Sequence, residues 1–436
     1  MKQIQQFLTS LLLLASLLSA AQSKKLPDLI SKYNSHLNDL NQGIGILIKK
    51  DGNTTFANAG KFNFNQHTVF NIGSGTKKIT AILLLQEIEK GNLALTDSIG
   101  KYLDPIEHVD GSLTIETLLR HRSGLGELVG RNFEGTFFAK SDSLYNSDFL
   151  GKIPENNPEM IGKHEYCNTN YILLGHLLEK ITDQNYTDLL RERIFEPCGM
   201  KESYPYVSKN LKNLAPPVHN KENVFAYLDY RFFAKYAFSA GSIASTLSDM
   251  AKFYEHLFEK KTLLNETSLE LLTTFDDADY GLGMIKSSKG YIGHGGNNLG
   301  YAYREYYNRE NKNLILYFSN AHMVPFDKMI RNELFDFMEG KISSATFKNN
   351  IAAEYKHAIG IYEFDAAGLK MDIEILEEED NLYILAQGAK VLLVSTEQNK
   401  LVNGTFGVEL EIDPSNVDQL TFRQNGLETT IKRIKS

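Results

Sequence analysis

Apolar and polar positions alternate over residues 43–49 and 54–59, on either side of an Asp51-Gly52 pair suited to a tight primed turn. The chain therefore opens on a predicted β-hairpin. From about 75 to 275 the apolar spacing turns helical, with the best stretches at 79–89 before Gly91, 171–181 and 247–258, each near a cap or stop. Strand patterns return at 281–286, 290–293, 302–307 and 314–318, followed by a helix at 328–338. Strands at both ends of a helical middle predict one α+β domain whose sheet joins the two ends. Beyond a polar connection at 341–350 the runs become short and alternating, at 369–375, 382–386, 408–412, 420–423 and 429–434, with turn signals at Asp380-Asn381 and Asn425-Gly426. They predict a separate, small C-terminal β domain. The division expected is 22–340, a linker at 341–350, and 351–436.

Composition agrees with that size. The 436 residues are 42% hydrophobic and 23% charged, enough for a large core and a smaller one. The net charge of −8 is dispersed along the chain, which argues against nucleic-acid binding. Residues 1–21 carry Lys2, an apolar run at 7–18 and then Ser19, Ala20 and Ala21, the pattern of a cleavable secretory signal. That run is shorter than the roughly 20 residues needed to span a bilayer. Export to the periplasm or the exterior is expected, without membrane association after cleavage. The only cysteines are Cys167 and Cys198, and whether they pair is left open by their spacing. His164-Glu165 begins like a zinc-protease motif, but Asn168 stands where the second histidine is needed, so no metal is expected.

Three short constellations carry chemistry. In Asn71-Ile72-Gly73-Ser74-Gly75-Thr76-Lys77-Lys78, a lysine three residues along a helix shares a face with a serine hydroxyl that needs a base. The helix start adds free backbone N–H groups and a favourable dipole. Lys78 at the i+4 position reaches the same face, so spacing leaves the base open. A second Ser-x-x-Lys, Ser98 to Lys101, reads as loop. In Tyr166-Cys167-Asn168, before a helix, a phenol near an ammonium can relay a proton at a lowered pKa, and an asparagine can hold substrate and lysine. Tyr306-Tyr307-Asn308 repeats that spacing within a strand pattern and reads as cross-strand packing. In Tyr291-Ile292-Gly293-His294-Gly295-Gly296-Asn297, glycines let a strand edge approach a substrate and a following N–H can complete an oxyanion hole. His294 would line the cleft with a pKa near 6.5, its charge changing across ordinary assay pH.

In this order the motifs resemble those of the serine β-lactamase and penicillin-binding superfamily, in the branch holding class C β-lactamases, D-carboxypeptidases, D-aminopeptidases and related esterases. The stretches 113–125, 240–246 and 280–283 are similar to that branch as well. The resemblance implies an α/β sandwich, an antiparallel sheet flanked by helices with a helical subdomain, and no organic cofactor. It implies Ser74 as acylated nucleophile, Lys77 as its proton acceptor and Tyr166 as general acid or base. Asn168 would hold lysine and substrate, the N–H groups of Ser74 and Asn297 would form the oxyanion hole, and His294, Gly295 and Gly296 would make the strand edge. Where this chain has His294, typical class C β-lactamases have lysine, which points away from efficient cephalosporin hydrolysis. The tail resembles lipocalin-like extensions of such hydrolases, through Gly360-Ile361-Tyr362-Glu363.

Two readings follow. One is a hydrolase acting through an acyl-enzyme on small esters, D-residue peptides or amides, or a lactam. The other is a protein that keeps the fold and binds peptide or wall fragments without turnover. The complete motif set favours the first, because a binder needs no activated hydroxyl.

Overall fold

The computed structural model describes residues 26–129, 149–219, 221–229, 231–298, 300–321, 327–341, 351–366, 368–403, 408–416, 418–424 and 427–435. The expected signal at 1–21, most of the expected linker at 341–350 and the Asn425-Gly426 turn lie outside the described residues. The chain divides into two compact units. One is Leu40–His322, apart from the N-terminal residues, and the other gathers Lys24–Asp39 and Met323–Ser436.

The first unit opens on the hairpin β1 (Gly43–Lys50) and β2 (Asn53–Gly60). Asp51 and Gly52 both hold positive φ, 49° and 78°, as a primed two-residue turn requires. Two short pairings follow, β3 (Phe70–Asn71) with β6 (Ala244–Ser245) and β4 (Val218–His219) with β5 (Glu222–Asn223). The remaining strands are β7 (Ile285–Lys286), β8 (Tyr291–Gly293), β9 (Gly296–Asn298), β10 (Tyr301–Asn308) and β11 (Leu314–Ser319). The main sheet runs β2-β1-β11-β10-β8-β7, with β9 also pairing β10. Ile46 lies opposite Tyr317, so the two ends of the unit share a sheet, as the pattern predicts.

Helix α1 (Thr76–Glu89) buries almost every residue, which places it inside the core rather than on its surface. Leu83, Leu84 and Leu85 are fully covered, each worth about 1.5–3 kcal/mol of burial. A Leu84→Ala change would cost about 2–5 kcal/mol through the cavity it leaves. Helix α2 (Ile115–Leu119) is capped by Thr114, whose side chain accepts from Thr117 N. Helices α3 (Asn168–Thr182) and α4 (Leu247–Tyr254) match the predicted ones, α4 running on as a π turn over Glu255–Glu259.

In the second unit, Tyr33 donates 2.7 Å to Glu333 Oε2 on helix α5 (Asp327–Met338), and Lys32 also pairs with Glu333. The tail forms a closed antiparallel barrel: β12 (Gly360–Ala366), β13 (Leu369–Glu378), β14 (Asn381–Ala386), β15 (Ala389–Glu397), β16 (Lys400–Asn403), β17 (Val408–Ile412), β18 (Gln419–Gln424) and β19 (Leu427–Lys435). Leu382, Leu401, Leu410 and Ile431 fill its interior.

Candidate active site

Ser74 sits in a single 3₁₀ turn, Gly73–Gly75, that leads into α1. Gly73 holds φ at 52°, a conformation that glycine enters without strain. Buried Asn71 fixes this turn. Its Oδ1 accepts from Gly73 N at 3.0 Å, and its Nδ2 donates to the carbonyls of Gly241, Ser242 and Ile243.

The hydroxyl of Ser74 has two partners. Lys77 Nζ lies 3.1 Å from Ser74 Oγ, 2.7 Å from Asn168 Oδ1 and 2.9 Å from Ala240 O. Tyr166 OH lies 2.8 Å from Ser74 Oγ. Burial lowers the Lys77 pKa to about 7, against the opposing pull of Glu127 and Cys167. A neutral amine there has two N–H groups for Asn168 and Ala240, leaving its lone pair toward the Ser74 hydroxyl. Desolvation pushes the Tyr166 phenol above its ordinary value, although the residue keeps 40% of its surface open. This direction corrects the lowered pKa expected from sequence: Lys77 is the group displaced toward neutrality, and Tyr166 remains a phenol. A hydroxyl that accepts from a phenol and donates to an amine is set up to lose its proton to that amine.

Strand β9 closes the other side. A Cβ on Gly296 would fall 2.2 Å from Ile72 O and 2.3 Å from Ser74 N, so only glycine allows this approach. A Cβ on Gly73 would be 3.0 Å from Asn297 N. The amides of Ser74 and Asn297 therefore border the same small space. Asn298 Nδ2 ties β9 to Asn71 Oδ1 at 2.6 Å, and Arg304 donates to Asn297 Oδ1 at 2.6 Å. A cavity of about 190 Å³ opens beside Ser74, Asn168 and Asn297, walled by Val129, Ala237, Ala240 and Gly241.

Residues 35–334 match the family model described as Beta-lactamase. The chain belongs to the β-lactamase family. It is 23% identical over 334 residues to the putative penicillin-binding protein PbpX of Bacillus subtilis (strain 168), covering 72% of this chain and 80% of that one. It is 25% identical over 218 residues to the teichoic acid D-alanine hydrolase of Staphylococcus aureus, covering 49% of this chain and about half, 52%, of that one. The D-amino acid amidase of Ochrobactrum anthropi SV3, solved with L-phenylalanine, shares the fold with a TM-score of 0.59 at 22% identity, over 71% of this chain and 95% of that one. The protein is thus a β-lactamase-family serine hydrolase, a mixed α/β domain followed in sequence by an eight-stranded antiparallel barrel.

Within this family site, Lys78 does not reach Ser74. Its Nζ pairs with Glu305 Oε1 at 2.5 Å and donates to Gly75 O at 3.0 Å, both side chains fully buried. The ambiguity left by helical spacing is removed by a residue far along the chain. Ser98 flanks a 3₁₀ turn, Ile99–Lys101, and Lys101 bonds Asp97 at 3.0 Å instead. Tyr306 lies on β10 opposite Ile315.

His294 is corrected more deeply. It is 3% exposed, with Nδ1 2.7 Å from Gly295 O and Nε2 3.1 Å from Tyr280 OH. Burial first, then the nearby Lys77 cation, lowers its pKa to about 3. It is a neutral buried ring, with no charge that switches near neutral pH. On the far side of Tyr280, His121 Nε2 is 3.1 Å from the same hydroxyl, while its Nδ1 faces Cys167 N and Asn170 Nδ2, both donors. The tautomers follow: His121 Nε2–H donates to Tyr280, Tyr280 donates to His294 Nε2, and His294 Nδ1–H donates to Gly295 O.

Glu127 has no motif spacing to betray it. Its Oε2 accepts from Asn168 N at 2.8 Å and Asn168 Nδ2 at 3.1 Å, which turns Asn168 Oδ1 toward Lys77. The only hint is an acidic side chain two residues after the stretch 113–125. Cys167 and Cys198 are both buried free thiols. Among the described residues no cluster of three or more His, Cys, Asp or Glu is arranged to hold a metal.

Proposed function

We propose that the protein hydrolyses small esters or amides of D-amino acids through an acyl-enzyme on Ser74. The observation that carries this reading is Ser74 Oγ set between Lys77 Nζ and Tyr166 OH. Lys77, half neutral near pH 7, takes the serine proton as Oγ attacks the carbonyl. The N–H groups of Ser74 and Asn297 stabilise the oxyanion. Tyr166 relays a proton to the departing alcohol or amine, and water then attacks the acyl-enzyme with the same groups reversed. Asn168 holds Lys77 and the substrate, and His294, Gly295 and Gly296 supply the strand edge.

The D-amino acid class is supported by relatives whose names are a teichoic acid D-alanine hydrolase and a D-amino acid amidase. A small cavity whose apolar wall is Val129, Ala237, Ala240 and Gly241, faced by Asn168, Asn297 and Asn298, suits a short acyl side chain that carries a polar group. The signal pattern at 1–21 supports export, which would bring the site to cell-wall material.

Purified protein is tested against p-nitrophenyl acetate, the D and L forms of alanine amide and methyl ester, and a chromogenic cephalosporin. The expected ranking has D-alanyl substrates above their L forms, with the cephalosporin slowest. Faster cephalosporin turnover would replace this reading with a β-lactamase, and no turnover of any substrate by folded protein would leave a binder.

A further inference from the structure

Lys78 and Glu305 form an ion pair with both side chains wholly out of water. Burying two charges is costly unless further hydrogen bonds complete each of them. Here those further bonds fall on two pieces of backbone. Lys78 Nζ donates to Gly75 O, in the turn that carries Ser74. Glu305 Oε1 accepts from the backbone N–H of His294 at 2.8 Å, and Oε2 from Tyr303 OH at 2.7 Å. The remaining flanks are aromatic, with Lys78 Nζ 5.5 Å from the Phe253 ring centroid and 5.9 Å from that of Tyr254.

The two backbone pieces are those that carry the amides of Ser74 and Asn297. They touch where a Cβ on Gly75 would come 3.1 Å from His294 O. We propose that Glu305, paired with Lys78, is a positioning residue that fixes the His294–Asn297 turn against the Ser74 turn and so sets the spacing of the two oxyanion N–H donors. The inference rests on the acyl-enzyme reading. A carboxylate accepts a backbone N–H more strongly than an amide oxygen does. Oxyanion donors work only when preorganised, so loss of this acceptor should lower the rate of acylation more than substrate binding.

The test compares wild type, Glu305→Gln and Lys78→Met/Glu305→Gln in the full chain. Hydrogen exchange by mass spectrometry reads the segment 291–298, and stopped-flow hydrolysis of p-nitrophenyl acetate gives kcat and KM. Glu305→Gln should exchange 291–298 at least ten-fold faster, leave 314–319 unchanged, and lower kcat by about ten-fold or more at nearly constant KM. The double variant removes the stranded lysine but keeps the weaker amide acceptor, so it should regain stability in urea while retaining the fast exchange at 291–298 and the low kcat, which separates positioning from a fold that has simply failed; recovery of kcat in it would assign the defect to the stranded lysine and overturn the proposal. Unchanged exchange in Glu305→Gln, or faster exchange with unchanged kcat, would overturn the proposal. A wild type that hydrolyses no substrate and takes no acyl label would overturn the acyl-enzyme reading, and with it the catalytic purpose assigned to Glu305.

Discussion

The ring of Tyr166 lies over that of His121, centroids 4.3 Å apart and planes 36° from parallel, while its hydroxyl reaches Ser74 Oγ. The stack steadies an aromatic side chain that is otherwise open to solvent on one side. His121 is itself pinned, at φ 55°, by the donors Cys167 N and Asn170 Nδ2. His121→Ala should therefore loosen Tyr166, lowering kcat for p-nitrophenyl acetate by about ten-fold or more. His121→Asn keeps a polar acceptor without the ring and should recover stability in urea but little of the rate. Full activity in His121→Ala would show that Tyr166 needs no such support.

Acylation should occur at one hydroxyl. A fluorophosphonate or penicillin-type probe should label Ser74, and Ser74→Ala should take no label. Ser98, whose neighbouring Lys101 bonds Asp97, should stay unmodified. Peptide mapping by mass spectrometry decides it, and label on Ser98 would reverse the assignment.

The rate should follow the ionisation of Lys77. Since its pKa is about 7 and the neutral amine is the acceptor, kcat/KM for a neutral ester should rise with pH through an inflexion near 7. The raised Tyr166 pKa keeps the phenol protonated, so no loss from its ionisation is expected up to pH 10. Lys77→Ala and Tyr166→Phe should each lower acylation or deacylation by about 10² or more with folding retained. A flat profile from pH 5 to 9 would remove Lys77 as the base.

His294 links pH to stability rather than to substrate charge. Its folded pKa of about 3 lies below the ordinary 6.5, so between these values the unfolded chain binds a proton that the folded one does not. Stability contributed above pH 6.5 is lost as pH falls toward 3. At 1.36 kcal/mol per pKa unit, wild type should lose about 3 kcal/mol more than His294→Asn between pH 6.5 and pH 4. Urea unfolding at the two pH values measures this. His294→Lys should destabilise the protein, since it would bury a second cation beside Lys77. Equal losses in wild type and His294→Asn would mean that the ring is protonated in the folded state.

The elements that sequence reveals here are those encoded by neighbours. Ser74 with Lys77, Tyr166 with Asn168, and the glycines after His294 are local spacings, and the hairpin turns on two adjacent residues. What stays hidden depends on distant partners. Choosing Lys77 over Lys78 needs Glu305 on β10. The neutrality of His294 needs Tyr280 and complete burial, and Glu127 acts from a loop without periodicity. In the tail, Ala389–Glu397 and Lys400–Asn403 lack a usable alternation in sequence, the first because Val391–Val394 is a continuous apolar run and the second because it is only four residues long. Closure of the ring, through Ile361 opposite Lys435, is a pairing of chain ends that no local pattern contains.

That closure has a consequence for how the tail meets other molecules. An open sheet offers a row of unanswered peptide groups along its outermost strands, onto which a foreign strand can zip. In the ring from β12 to β19 each strand has neighbours on both sides, so that template is absent. Another protein or a wall polymer that docks here must read side chains, loops or the barrel mouths. For the same reason the tail should resist joining edge to edge with other copies at high concentration, where an open sheet of eight strands would invite fibres.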